Sequence, residues 1–231
     1  MEKRVKYIVI GIIALVIIVT VGIYVYRQMK ASDPAYYSQH YRMGSSYLKE
    51  GLWEEAIEEL QKASKSRPES MEPYYGQGMA YLNLKKTEEA IEFFEKALNL
   101  APDRLDVRYS LGVAYQQGGR LERALEEYHK IVQKNPLAFQ VFNNVGIIQM
   151  KLGDHEKAVK AFKHSIELDP DHFPAYFNLA RSYESQGKPD LALKEYQRIK
   201  ERASKSPETQ QFVKAAEERL ASLKTSNVST K

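Results

Sequence analysis

The chain of 231 residues contains no cysteine. That absence excludes a disulfide framework, Cys-ligated zinc, an iron–sulfur cluster, covalently attached haem and a lipidated cysteine. It leaves the redox compartment open, because exported proteins without disulfides are common. Glycine and proline are scarce, at 12 and 9 residues, which excludes a low-complexity linker and suits an ordered, helical chain. The body also lacks a charge of one sign. The first 30 residues hold five bases and one acid, whereas the rest carries 29 of each, so the whole net charge of +4 sits at the N-terminus. A neutral body offers no footprint for a phosphate backbone, and nucleic acid is not an expected partner.

One long apolar run is present. Residues 7–26 carry no charge and are rich in Ile and Val. As a helix rising about 1.5 Å per residue, the run matches the roughly 30 Å hydrocarbon layer of a bilayer. Tyr7, Tyr24 and Tyr26 lie at its ends, where amphipathic rings favour the headgroups. A signal peptide would have a shorter apolar region and a small-x-small cleavage site, but Arg27-Gln28-Met29-Lys30 follows. Residues 1–30 therefore read as a retained transmembrane anchor. Its short basic head favours a cytoplasmic N-terminus, with the body on the extracytoplasmic, periplasmic side. Residues 31–36 form a brief linker with a helix start at Ser32-Asp33-Pro34.

The rest of the chain repeats itself every 34 residues. Pro68, Pro102, Pro136 and Pro170 keep that interval, and Gly44, Gly78, Gly112 and Gly146 form a series that Ala180 continues. Ala56, Ala90, Ala124, Ala158 and Ala192 form another, and Leu60, Phe94, Tyr128, Phe162 and Tyr196 keep a bulky side chain. Gly51, Gly119, Gly153 and Gly187 mark a turn at which Lys85 stands in once. Each unit predicts two helices. His40, Met43, Gly44 and Tyr47 share one face of the first, and Ala56, Leu60 and Ala63 face inward on the second. Small residues let two helix backbones approach, and the bulky ones fill the space beside them. Glu58–Lys62, Glu92–Lys96 and Glu126–Lys130 read as i, i+4 pairs on a solvated face.

The interval, the Gly-Ala-bulky-Ala-Pro series and the paired helices resemble the tetratricopeptide repeat. The resemblance implies an all-α fold, a right-handed superhelix of five helix-turn-helix repeats over residues 37–70, 71–104, 105–138, 139–172 and 173–206. Gln149, in the column that Tyr47, Tyr81, Tyr115 and Tyr183 hold, Ser165 for Ala and Ser204 for Pro depart from the pattern. A helix over residues 207–223 would cap the stack, with Phe212, Ala216, Leu220 and Leu223 along one face, and residues 224–231 read as a disordered polar tail. The architecture is similar to membrane-anchored bacterial proteins of this family.

No catalytic constellation emerges. His40, His129, His155, His164 and His172 never share the i, i+4 spacing of a zinc-binding helix, and Gly118-Gly119-Arg120 belongs to a repeat turn. No enzyme activity, metal or cofactor is expected. A second stripe on the first helices is left unassigned by the core. In the family the first helices line a concave, peptide-binding surface, which implies a groove formed by Tyr41, Tyr75, Met79, Leu82, Tyr109, Val113, Asn143, Ile147 and Phe177. Asn144 and Asn178 stand 34 residues apart and are similar to the asparagine ladder of O-linked N-acetylglucosamine transferase, where amides hold a peptide backbone. The chaperone-tail clamp of some members is missing, since Tyr41, Ser45 and Asp106 occupy its places. The expected function is a membrane-anchored scaffold that binds a protein or peptide partner and assists assembly or secretion of envelope complexes. The alternatives are a self-assembling structural protein, as a homo-oligomer, and a cytosol-facing import receptor.

Overall fold

The computed structural model describes residues 15–23, 33–203 and 207–228. Most of the expected membrane span lies outside them. Its described part, residues 15–23, is helical (α1), and Leu15 to Ile23 are exposed. Among the described residues no helix is long and apolar enough to cross a membrane. Residues 204–206, at the end of the fifth repeat, and 229–231 also lie outside the described part.

From residue 33 onward helices follow one another in pairs. They are α2 (Pro34–Glu50) and α3 (Trp53–Ser66), α4 (Met71–Asn83) and α5 (Thr87–Leu100), and α6 (Leu105–Gln117) and α7 (Leu121–Lys134). Then come α8 (Phe139–Lys151) and α9 (His155–Leu168), α10 (Phe173–Ser185) and α11 (Pro189–Arg202), and the single α12 (Pro207–Val228). No strand occurs among the described residues. The helix starts and stops have local causes. Asp33 caps α2 by accepting from the Ala35 amide at 2.8 Å, and Pro34 pre-sets its first turn. Pro68, Pro102, Pro136 and Pro170 each follow the end of a second helix by two residues. Nothing in Lys224-Thr225-Ser226-Asn227 breaks a helix, and α12 continues through it to Val228, past Leu223.

The first-to-second turn needs a left-handed residue. Gly51, Gly119, Gly153 and Gly187 take φ between 68° and 79°, and Lys85 takes φ 60° in their place. A side chain at such φ costs about 1–2 kcal/mol, partly offset because glycine is freer when unfolded. Lys85→Gly should therefore stabilise the second repeat by about 0.5 kcal/mol. The reverse change, Gly153→Lys, should destabilise; paired denaturation curves check both signs.

The chain falls into two compact units, Met1–Ser110 and Leu111–Lys231. In the first, α2 packs on α3, α4 on α5, and α4 back on α3. In the second, α8 and α9, and α10 and α11, form pairs, α10 packs on α9, and α12 on α11. The bulky series is the centre of every pair: Leu60, Phe94, Tyr128, Phe162 and Tyr196 are all at 0% exposure. So are Ala56, Ala90, Ala124, Ala158 and Ala192. Ser165, the departure from alanine, is buried too, and its hydroxyl donates to the Phe139 carbonyl at 2.8 Å.

Repeat positions are counted from residues 37, 71, 105, 139 and 173. Positions 3, 6 and 10 of the first helix meet the preceding pair. In the second repeat they are Pro73, Gly76 and Ala80, all buried. In the first repeat they are Gln39, Arg42 and Ser46, all exposed. A polar outer face is what ends a repeat array without an aggregation-prone edge. At the other end α12 follows the same register: Ala216 falls 34 residues after Ser182 and is fully buried. α12 thus occupies the place of a first helix on the fifth repeat.

Candidate functional site

Two of the stripe residues on the first compact unit, Tyr41 and Tyr75, combine a packed root with an open edge, and all five, with Met79, Leu82 and Tyr109, are half-buried. Tyr41 stacks on Tyr37, with centroids 5.8 Å apart and planes within 4°. Tyr37 is fixed in turn by Ser70, whose Oγ lies 2.7 Å from its hydroxyl, and by the Arg67 guanidinium 4.4 Å above its ring. Tyr75 leans on the buried Phe94 at 5.9 Å, and its hydroxyl lies 3.5 Å from Ser110 Oγ. Met79, Leu82 and Tyr109 are half-buried as well, Tyr109 at the repeat position of Tyr41 and Tyr75. Firmly rooted aromatic rings bind at low entropic cost, because few rotamers remain to be frozen.

On the second unit the stripe is more committed to its own structure. Val113, Ile147 and Phe177 are half-buried, and Phe177 meets Tyr196 edge-on at 5.5 Å. Ile147 and Phe177 also pack against the core around Phe162 and Tyr176. Asn143 is buried at 7% exposure, and its Oδ1 accepts from Asn178 Nδ2 at 3.0 Å. Asn144 Nδ2 donates to the Tyr128 hydroxyl at 3.2 Å. Both amide groups of the expected ladder thus donate to acceptors inside the protein.

Sequence reasoning did not connect two columns of the repeat. Position 12 is Leu48, Leu82, Gln116, Met150 and Glu184, and position 24 is the bulky series. Where position 24 is Tyr, position 12 is polar. The Tyr128 hydroxyl donates to Gln116 Oε1 at 3.3 Å, and the Tyr196 hydroxyl donates to Glu184 Oε1 at 2.8 Å. A buried hydroxyl needs a partner, and these polar residues supply it. The signal lay in comparing two columns of the repeat rather than one. Arg219 of α12 also binds Glu184 with its guanidinium.

Burial, then the Glu184 contact, pushes the Tyr196 hydroxyl well above the usual tyrosine range. Below pH 10 it is protonated whether folded or unfolded. Above that the unfolded chain gives up this proton first, so stability falls as pH rises. Tyr196→Phe should cost about 1–3 kcal/mol at pH 7 for the lost bond to a carboxylate. It should also decline less steeply above pH 10 than the parent, which unfolding curves from pH 8 to 11 would show.

Not every carboxylate lies on a solvated face. Glu59, Glu127 and Glu195 share position 23 and are buried, at 7–8% exposure. Their partners three residues on are Lys62 at 2.7 Å, Lys130 at 2.6 Å and Arg198 at 2.9 Å. Glu59 also pairs with His40 Nδ1. Burial pushes its carboxyl up, but the bonds from Lys62 and His40 outweigh this and hold it below the usual range. The outward pairs Glu58–Lys62 and Glu92–Lys96 form at 2.7 and 2.6 Å. In the third, Lys130 turns to Glu127 instead and Glu126 pairs with Arg123 at 3.6 Å.

Of the remaining histidines, the exposed His129 and His164 meet Gln133 at 2.9 Å and Glu167 at 3.2 Å on their own helices. His172 stands edge-on to Phe139 at 4.9 Å, and burial lowers its imidazole pKa. Among the described residues no group of three or more His, Asp and Glu is placed to hold a metal ion. A cavity of about 570 Å³ lies between the α8–α9 and α10–α11 turns, lined by Leu152, His155, Gln186 and Lys188 among others, and includes no stripe residue.

Tetratricopeptide-repeat family models match residues 41–104, 81–141 and 149–223, and the chain belongs to that family. No curated protein sequence matches it. Among solved structures it is similar to a crystal structure of MamA protein, with 21% identity and TM-score 0.66 over 76% of this chain and 100% of that one. MamA 41-end from Desulfovibrio magneticus RS-1 is 21% identical, with TM-score 0.68, over 74% of this chain and 98% of that one. A MamA AMB-1 structure is 26% identical, with TM-score 0.61, over 75% and 96%. The fold class is thereby established, and with it a protein–protein interaction scaffold.

Proposed function

We propose that the chain is a membrane-anchored scaffold whose first helices hold a segment of a partner protein and assist assembly or secretion of envelope complexes. The observation that carries this reading is the row Tyr41, Tyr75 and Tyr109, left half-open at equivalent repeat positions, with Met79 one turn on from Tyr75. Surface of that kind, beyond the needs of a core, is where partners bind. In the superhelix that the family forms, first helices face the concave side. The anchor is supported by the uncharged run over residues 7–26 and by the exposed apolar side chains of its described part. The N-terminus is placed in the cytoplasm and the repeats beyond the membrane, the orientation that the short basic head favours. Tethering of this kind raises effective concentration near membrane-bound partners.

A photo-cross-linker at Met79, with identification of adducts, tests the surface against a probe at the exposed Lys214 of α12. Dominant partner adducts from Met79 alone support the reading; adducts from Lys214 alone overturn it. Met79→Ala together with Tyr75→Ala should weaken capture of that partner by about ten- to a hundredfold, as loss of a central anchor does. Protease protection of the repeats in intact cells checks the orientation.

A further inference from the structure

The outward ridge of the second helices changes sign along the chain. Positions 19, 22 and 25 are exposed in all five repeats. They are Glu89, Glu92 and Glu95 on α5, but Lys157, Lys160 and Lys163 on α9. The neighbouring repeats follow suit, with Glu55 and Glu58 on α3 and Lys194 on α11. The third repeat, with Arg123, Glu126 and His129, is mixed. Position 18 is acidic in every repeat and needs no further reason, since a helix N-terminus favours a carboxylate. No such backbone reason exists at positions 22 and 25, in the middle of the helix. Identical local scaffolds therefore present three acids in one place and three bases in another.

We infer that the α5 ridge of one copy docks against the α9 ridge of a second copy, Glu89, Glu92 and Glu95 facing Lys157, Lys160 and Lys163. The occupant is chosen by charge complementarity: the chain itself carries the complement of each ridge, at the same positions and spacing. Within the chain Lys96 reaches Glu92 at 2.6 Å and Lys157 reaches Asp154 at 2.7 Å, exposed pairs that a facing charge can replace. Each exposed pair contributes little alone, so the contact is weak, salt-sensitive and suited to association at high local concentration. It uses the second helices and leaves the stripe on the first helices open.

The absence of cysteine gives a direct test on the full chain. Glu92→Cys and Lys160→Cys sit at the centre of each ridge, so a bismaleimide reaches across whichever way the helices run. The two variants, differently tagged, are co-expressed and cross-linked. Mixed pairs should exceed like pairs several-fold, and the excess should vanish at about 1 M salt, where screening acts within ~3 Å. In the chain without added cysteine, reversing all three acids to Lys should abolish the concentration-dependent association that sedimentation at low salt reads. Reversing the three bases to Glu in the same chain should restore it. Equal yields in all combinations, or no restoration, would overturn the proposal. So would a basic ridge that supports binding to phosphatidylglycerol vesicles while no mixed pairs form, which would make a lipid surface the occupant.

Discussion

Gly146→Val should destabilise the second unit by about 2–3 kcal/mol, and Phe162→Ala by about 3–5 kcal/mol, yet the double variant should lose less than the sum by at least ~1 kcal/mol. The reason is a single close approach. A Cβ built on Gly146 would lie 2.5, 2.7 and 2.8 Å from three ring atoms of Phe162. That ring is fully buried and has nowhere to turn. Valine there must push the ring, and with it α9, away from α8. Alanine at 162 leaves a cavity at the same spot, which the valine then fills. The contact recurs at Gly78 with Phe94 and at Gly112 with Tyr128, at 2.6 and 2.5 Å. The fifth pair has Ala180 opposite Tyr196, so a methyl group can be fitted where the helices adjust. Gly146→Ala should therefore cost less than valine. Hydrogen exchange within α8 and α9, beside denaturation, gives a readout specific to this pair. Strict additivity of the two changes would show that the small and large series do not pack against one another as described.

The small-and-large series was legible because each member is set by its own place in the repeat. One column of glycines and one of bulky residues suffices to predict a tight helix pair, and the left-handed turn glycines follow from the same comparison. Lys85 shows that backbone demand can outlast the residue that suits it: the turn keeps φ 60° even without glycine. Both ends of the array were also readable. Gln39 stands where Pro73, Val107, Val141 and Ala175 follow, the charged Arg42 heads a column of Gly76, Ser110, Asn144 and Asn178, and Ala216 continues an interior column at the last helix.

The stripe was harder to read, because its members answer to partners 12 to 35 residues away. Gln116 and Glu184 look like surface residues of a first helix until Tyr128 and Tyr196 are seen to need acceptors. Asn144 and Asn178 look available until their donors are followed to Tyr128 and Asn143. Glu59 looks solvated, as Glu58 is, but a rotation of one residue puts it under His40. Amphipathic spacing separates a buried face from an exposed one. It does not divide the half-buried margin between structure and recognition, which depends on how closely neighbouring helices cross.

Ala216→Asp should release α12 from the second unit rather than unfold the repeats outright. Ala216 is fully buried against α11, and an unpaired carboxylate there would cost several kcal/mol. A helix held only at the end of a stack can avoid that cost by leaving. The penalty is therefore capped at the docking free energy of α12. Phe212, Val213, Leu220 and Leu223 are partly buried on the core, and the pairs Arg219–Glu184 and Lys200–Glu217 close the edges. Half-burial of four such side chains corresponds to about 3–6 kcal/mol before the entropy of ordering the helix is subtracted. The expected net loss is then about 2–4 kcal/mol, carried by α10 to α12. The amides of α12 should exchange freely and its peptide bonds should become protease-sensitive. Exchange in α10 and α11 should also quicken, because their core residues Leu179 and Ile199 share the cluster that contains Ala216. Arg219→Met keeps the apolar face and removes only an edge contact, so it should loosen α12 far less. Full protection of α12 in the Ala216→Asp chain would mean that the helix is not a separable cap, and is as integral to the fold as the five repeats before it.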